Sequence, residues 1–249
     1  MTAVITGIGW VTAAGPGCGS QGHPFDLTPG PLPAVTRKQV FTEPNQRFGR
    51  QSEYSKIGLA AIAFALRDAG LESWTAKRPV GMIAASRLGC LATDMAYFDT
   101  VIPDSGALAS PNLFAYTLST CFLGEAAIQF GLTGSALVIN ETNPGGLTCL
   151  RMALESLAWE EGETTLAGIC DLPPPPAVAP AVAPAAGAVF MVLERGSRRP
   201  EAGYGTLELA ADGTIRHGGV QAESFSGLVA ACLAGRAGKP CFSVSDNLE

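Results

Sequence analysis

Apolar positions along this chain follow two rhythms, short unbroken runs and a three-and-four spacing, and the two take turns from one end to the other. Thr2 to Thr6 (TAVIT) is a β-branched run stopped by Gly7 and Gly9, which predicts a buried strand entering a turn. A polar stretch rich in Gly and Pro then extends to about Arg50 and reads as loop. From Ser52 to Leu71, Tyr54, Ile57, Ala61, Phe64, Ala65 and Ala69 recur at helical spacing, with Gly70 as a stop. Val80 to Ala85 (VGMIAA) is a second buried strand, a helix begins near Leu91, and a longer helix is expected from about Asn112 to Phe130, after Pro111. Ala136 to Asn140 (ALVIN) is a strand, 145–159 a helix, and Thr165 to Ile169 (TLAGI) a strand.

Residues 173–186 are almost wholly Pro, Ala and Val and predict an extended linker with neither helix nor strand. Beyond it, Ala188 to Glu194 and Tyr204 to Leu209 read as neighbouring strands, Glu223 to Leu233 as a helix and Cys241 to Val244 as a last strand. The alternation of strands and helices predicts an α/β chain, its sheet covered by helices on both faces and its sites at the C-terminal ends of strands.

Composition narrows the function classes. The 249 residues are 47% hydrophobic and only 15% charged, with a net charge of −6, so a large core sits under a thinly charged surface. An acidic chain without Lys/Arg clusters argues against nucleic acid. Gly, Pro, Ser or Thr interrupts every apolar run before the roughly 18 residues a membrane helix needs, so no membrane span is expected. The first Lys or Arg is Arg37, so the chain lacks the positively charged start of a secretory signal, which predicts a cytoplasmic location. The seven cysteines never form C-x-x-C, and only His23 and His217 could join them, so no metal site is expected.

Thr6-Gly-Ile-Gly-Trp-Val-Thr follows a strand as a dinucleotide fingerprint does, but Thr12 replaces its third glycine and no helical pattern opens until Ser52. The Tyr and Lys of a short-chain dehydrogenase should stand four apart, whereas Tyr54 and Lys56 are two apart. No nicotinamide or other cofactor is therefore expected. Residues 131–147 (GLTGSALVINETNPGGL) carry a stronger signal: a strand ends in a sharp turn that opens directly into a helix. Such an elbow displays one side chain, here Asn143. A cysteine at a helix N-terminus has its pKa lowered and becomes a nucleophile. Asparagine cannot do this, but it is a good N-cap, and Pro144 would follow at the first helical position.

The segments AVITGIGWVTAAG, ALRDAGL with VGMIAAS, SPNLFAYTLSTCFLGEAAIQFGLTG and AAGAVFMVLER, in this order, resemble β-ketoacyl synthases of the thiolase-like fold. The resemblance implies a layered α-β-α fold, essentially the N-terminal ketosynthase half (1–172), the linker (173–186) and an abridged C-terminal half (187–249) completing it. In that family the catalytic cysteine stands nine residues after the second glycine of Gly131-Leu-Thr-Gly134, which is Asn143 here. Glu141-Thr-Asn-Pro-Gly-Gly-Leu147 looks most like the chain-length-factor branch, in which a glutamine replaces the cysteine ahead of Gly-Gly-Leu. The family's two C-terminal histidine motifs are not intact, since Thr214-Ile-Arg-His-Gly-Gly219 holds a single His-Gly and only 63 residues follow Ala186.

These features imply a non-catalytic subunit that pairs as a heterodimer with an active ketosynthase, with an acyl carrier protein serving the complex, in polyketide or specialised fatty-acid synthesis. Phe114, Thr117 and Cys121 would share one face of the 112–130 helix, and the resemblance makes Phe114 a plug in the partner's acyl tunnel. The rival readings are a malonyl-thioester decarboxylase using the Asn143 amide and a structural homodimer without acyl chemistry. Cys121, inside a helix with no His or Lys beside it, reads as inert packing, and His217 and His23 as solvated loop residues.

Overall fold

The first apolar run does not stop at Gly7. In the computed structural model, which describes residues 1–178, 185–196 and 203–236, Thr2–Thr12 is one strand, β1, with Ile5, Ile8, Trp10 and Val11 wholly buried. Both glycines lie inside it because a helix crosses them at backbone distance. A Cβ on Gly9 would stand 2.5 Å from the Ala61 carbonyl oxygen and 2.6 Å from the Phe64 carbonyl carbon. What the sequence presents as strand stops are close-approach points, where the fold needs the missing side chain.

The expected loop to Arg50 contains a short strand, β2 (Gly15–Cys18), that folds back on β1, and a single helical turn, α1 (Arg37–Val40). The helix that crosses β1 is α2 (Glu53–Asp68), capped by the Ser52 hydroxyl, which accepts from Ser55 N at 3.3 Å, and buried along most of its length. Then come β3 (Val80–Ser86), buried at every residue, and α3 (Leu91–Val101). The helix expected from Asn112 to Phe130 is broken into α4 (Pro111–Phe114) and α5 (Cys121–Phe130). Between them Tyr116, Thr117 and Cys121 donate their amides three residues back, and the Thr117 hydroxyl donates to the Phe114 carbonyl at 2.8 Å. Hydroxyl side chains in Tyr-Thr-Leu-Ser-Thr compete for backbone partners and favour turns over a continuous helix.

The chain continues through β4 (Ala136–Asn140), α6 (Thr148–Ala158), β5 (Thr164–Asp171), β6 (Gly187–Glu194), β7 (Thr206–Leu209), β8 (Ile215–His217), β9 (Val220–Gln221) and α7 (Phe225–Arg236). All nine strands described belong to one sheet of order β4-β3-β5-β6-β1-β7-β8-β9, with β2 also on β1. β3 pairs in parallel with β4 and β5, and the other pairs are antiparallel. Ala188–Glu194 and Tyr204–Leu209 are therefore not neighbours. Val4 of β1 stands between them, opposite Glu194 on one side and Thr206 on the other, because the chain after 172 returns antiparallel into the gap between β5 and β1. Residues 187–194 thus lie in the middle of the sheet, with β4, β3 and β5 on one side and β1, β7, β8 and β9 on the other.

Alternation along the central strands feeds two cores. Phe190 and Val192 join the cluster under α2 and α5, while Val189, Met191 and Leu193 join the one under α6 and α7. This is the two-faced burial that the α/β pattern implies. Residues 173–178 hold only a short turn at Pro176–Val178; the rest of the expected linker up to 184 and the expected strand Cys241 to Val244 lie outside the described residues.

Candidate functional site

The three parallel strands end side by side. Ser86 pairs with Asn140 across β3 and β4, and Asp171 closes β5 beside them, which opens a crevice at their C-terminal ends. Asp171 Oδ1 accepts from Ser86 Oγ at 2.7 Å, Arg87 N at 2.9 Å and Leu88 N at 3.2 Å. Burial pushes the Asp171 carboxyl above the usual carboxylate range, and these donors pull it back. The Arg87 guanidinium donates to the Pro144 carbonyl at 3.4 Å, so this polar knot also holds the loop after β4.

That loop is the elbow. Asn143 is exposed at its tip, as the strand-turn-helix pattern requires, but it does not cap the helix. α6 begins at Thr148 rather than 145, because 143–146 close a turn in which Gly146 N donates to Asn143 O at 3.1 Å and Gly146 takes a left-handed φ of 67°. The capping is done from two residues upstream. Glu141, only 6% exposed, accepts from Asn143 N (2.8 Å) and Thr148 Oγ1 (3.0 Å) through Oε1, and from Thr148 N (3.1 Å) through Oε2. The Asn143 amide in turn donates to Thr148 Oγ1 at 3.2 Å. Nothing in the sequence marks Glu141, since it stands seven residues before the helix it caps. Between the elbow and the β8–β9 hairpin lies an open cleft of about 340 Å³, whose lining includes Asn143, Thr148, Arg151, Thr214 and Gln221.

The break between α4 and α5 removes the common helix face expected of Phe114, Thr117 and Cys121. Phe114 is 61% exposed on a one-turn helix, its ring 5.4 Å from that of Tyr97; Thr117 lies in the intervening turn; Cys121 opens α5 and donates its thiol to the Ala115 carbonyl at 3.2 Å. Burial raises the Cys121 thiol pKa, so it is less nucleophilic than a free thiol. His217 is not a solvated loop residue either. It sits on β8 with Nε2 2.8 Å from the Tyr204 carbonyl and 3.7 Å from Cys232 Sγ, on the far side of β1 from the elbow strands. His23 is exposed, its Nδ1 accepting from Cys18 N at 3.4 Å. Among the described residues no group of three His, Cys, Asp or Glu side chains could hold a metal ion, and no helix is long and apolar enough to cross a membrane.

No protein-family model matches the chain, and no curated protein matches it in sequence. Solved structures do match it in shape. The ishigamide ketosynthase/chain length factor aligns with a TM-score of 0.61 at 16% identity, over 83% of this chain and 62% of that one. A type II polyketide acyl-carrier protein in complex with its ketosynthase bound to the hexaketide (AntDE:AntF) aligns at 0.57 and 17% identity, over 84% and 62%. The ketosynthase ApeO in complex with its chain length factor ApeC, from Xenorhabdus doucetiae, aligns at 0.54 and 16% identity, over 80% and 81%, so the matched chain is about as long as this one. These likenesses establish the thiolase-like ketosynthase fold. The chain spans 62% of the length of the first two chains it matches.

Proposed function

We propose that this ketosynthase-fold chain is a non-catalytic, chain-length-factor-like subunit that pairs with an active β-ketoacyl synthase in polyketide or specialised fatty-acid synthesis, an acyl carrier protein delivering the growing chain to the pair. The observation that carries the reading is the carboxamide of Asn143, exposed at the tip of the elbow where an acyl-transferring enzyme of this fold needs a thiolate; an amide is no nucleophile. Two of the shape neighbours, a ketosynthase/chain length factor and a ketosynthase with its chain length factor, and a third that holds an acyl-carrier protein, support partners of these classes.

The surface supports a protein partner. Among the described residues β4 is an edge strand, and its apolar Ala-Leu-Val-Ile run carries no charge, proline or bulge, devices that ordinarily protect an edge. Phe98, Ile102, Leu108, Phe114, Leu118 and Ile128 are each at least 60% exposed on α3, the turns after it and α5. Scattered singly such residues mean little; six within thirty-one positions support contact with a second chain in this region.

Purification of the tagged chain from its native host, with the particle's mass from light scattering and its composition from peptide sequencing, tests the reading. A stoichiometric ketosynthase is the expected result. A clean homodimer or monomer overturns it, and carbon dioxide release from malonyl thioester then becomes the next assay. Ile102→Lys together with Leu118→Lys, both at exposed positions, is expected to leave the chain folded by circular dichroism and to cut the co-purified ketosynthase at least about tenfold, since two charges at an apolar contact cost several kcal/mol. Undiminished recovery places the partner on another face. Phe114→Ala is expected to lengthen the acyl products of the reconstituted pair by at least one extension unit, read by mass spectrometry. Unchanged products would remove Phe114 from any tunnel.

A further inference from the structure

The asparagine at the elbow is tied by hydrogen bonds to the start of α6 and to Glu141. The Asn143 side chain reaches Thr148, the first residue of α6, at 3.2 Å, so a nucleophile at position 143 would stand beside a helix start, where unpaired amides and the helix dipole favour negative charge. In this chain that place is already taken. Glu141 turns its buried carboxylate onto Thr148 N, the first helical amide, and onto the Thr148 hydroxyl, and its Oε1 also accepts the amide of Asn143 itself. One fixed negative charge therefore sits where a second would have to form.

We infer that Glu141 silences the elbow: its carboxylate consumes the anion-stabilising capacity of the α6 N-terminus, so that a cysteine restored at position 143 stays an ordinary thiol. The inference rests on the reading of the chain as a non-catalytic subunit and deepens it, since loss of the nucleophile and loss of the means to activate one become a matched pair of changes. The neighbouring Cys149 registers the same charge. Its thiol is pushed up to about 12, by burial first and by the Glu141 carboxylate second. The other charged groups facing the elbow are Arg87, whose guanidinium is spent on the Pro144 carbonyl, Arg151 on α6, and Glu223, whose carbonyl oxygen would stand 2.6 Å from a Cβ on Gly145. Arg151 reaches Glu155 at 4.0 Å, and none of these three donates to or accepts from the Glu141 carboxylate.

The test is peptide-resolved alkylation by iodoacetamide as a function of pH on the full chain, comparing Asn143→Cys with Asn143→Cys/Glu141→Gln and using Cys121 as an internal reference. The single variant is expected to titrate at or above the free-thiol value of about 8.5, and the double variant to react about tenfold faster at pH 7, its midpoint moving down toward the range below about 7.5 found for cysteines at helix N-termini. A single variant that already titrates below about 7.5 overturns the inference whether or not the double variant folds. So does a folded double variant with the midpoint of the single one. Alkylation requires no partner, so a chain that fails to recruit a ketosynthase and a Glu141 that fails to silence the elbow are read separately.

Discussion

Gly9→Ala is expected to cost the chain its native fold. The added methyl would meet the backbone of α2, with the Ala61 carbonyl oxygen at 2.5 Å and the Phe64 carbonyl carbon at 2.6 Å, and neither can swing aside as a flexible side chain would. β1 cannot retreat, because it is clamped between β6 and β7 in the middle of the sheet. Overpacking a side-chain core costs about 1–3 kcal/mol, and separating a helix from a strand along their contact costs more. Set against a total stability of about 5–15 kcal/mol, this predicts recovery in the insoluble fraction or a melting temperature lower by more than about 10 °C. Gly124→Ala is the matched control. It sits exposed in α5 with nothing within 4 Å of the new methyl, and should be neutral or stabilising by about 0.5–1 kcal/mol. Equal melting temperatures for the two variants would mean that α2 is free to slide on the sheet.

Asp68→Ala is expected to be the next most damaging change. At the end of α2 its carboxylate gathers three donors from distant parts of the chain: Ile8 N at 2.8 Å, Ser20 N at 2.7 Å and the Tyr204 hydroxyl at 2.6 Å. Ile8 lies just past the bulge at Ile5/Gly7. Tyr204 leads into β7, and the Arg236 guanidinium at the end of α7 stacks 4.6 Å over its ring. Removing the acceptor takes a charge-assisted partner from each donor, at about 1–3 kcal/mol apiece where water does not replace it. Partial exposure of the site lowers the sum, giving about 3–4 kcal/mol, or roughly 10 °C in melting temperature. Tyr204→Phe, which removes one of the three bonds, should lose about 1–2 kcal/mol. A chemical-denaturation midpoint for Asp68→Ala within about 1 kcal/mol of the unaltered chain would show that the three donors find other partners.

Much of the scaffold was legible before any coordinates. The central strands are buried on both faces, so Val80–Ser86 and Gly187–Glu194 appear in sequence as unbroken apolar runs, and α2 repeats its apolar positions at helical spacing between a Ser cap and Gly70. That Asn143 stands in the turn between a strand and a helix was legible too, because the apolar run Ala136–Asn140 ends just ahead of Asn-Pro-Gly-Gly.

Other features were decided by contacts distant in sequence. Gly7 and Gly9 look like strand stops until α2 is laid across them. The 112–130 segment looks like one helix because Phe114, Thr117 and Cys121 keep helical spacing, yet backbone turns and the Thr117 hydroxyl bond divide it and leave these residues apart. His217 looks like a loop residue until the Tyr204 carbonyl arrives beside it. By itself the sequence determined the central apolar strands and α2, that both faces of the sheet are covered, and that the side chain at position 143 is an amide, because each of these is written in neighbouring residues and their periodicity. Only the tertiary structure decided that β6 enters between β5 and β1 and that Glu141 takes the helix terminus that Asn143 was expected to cap. Strand order and charge placement depend on which distant groups are brought within hydrogen-bonding distance, and no local pattern records that.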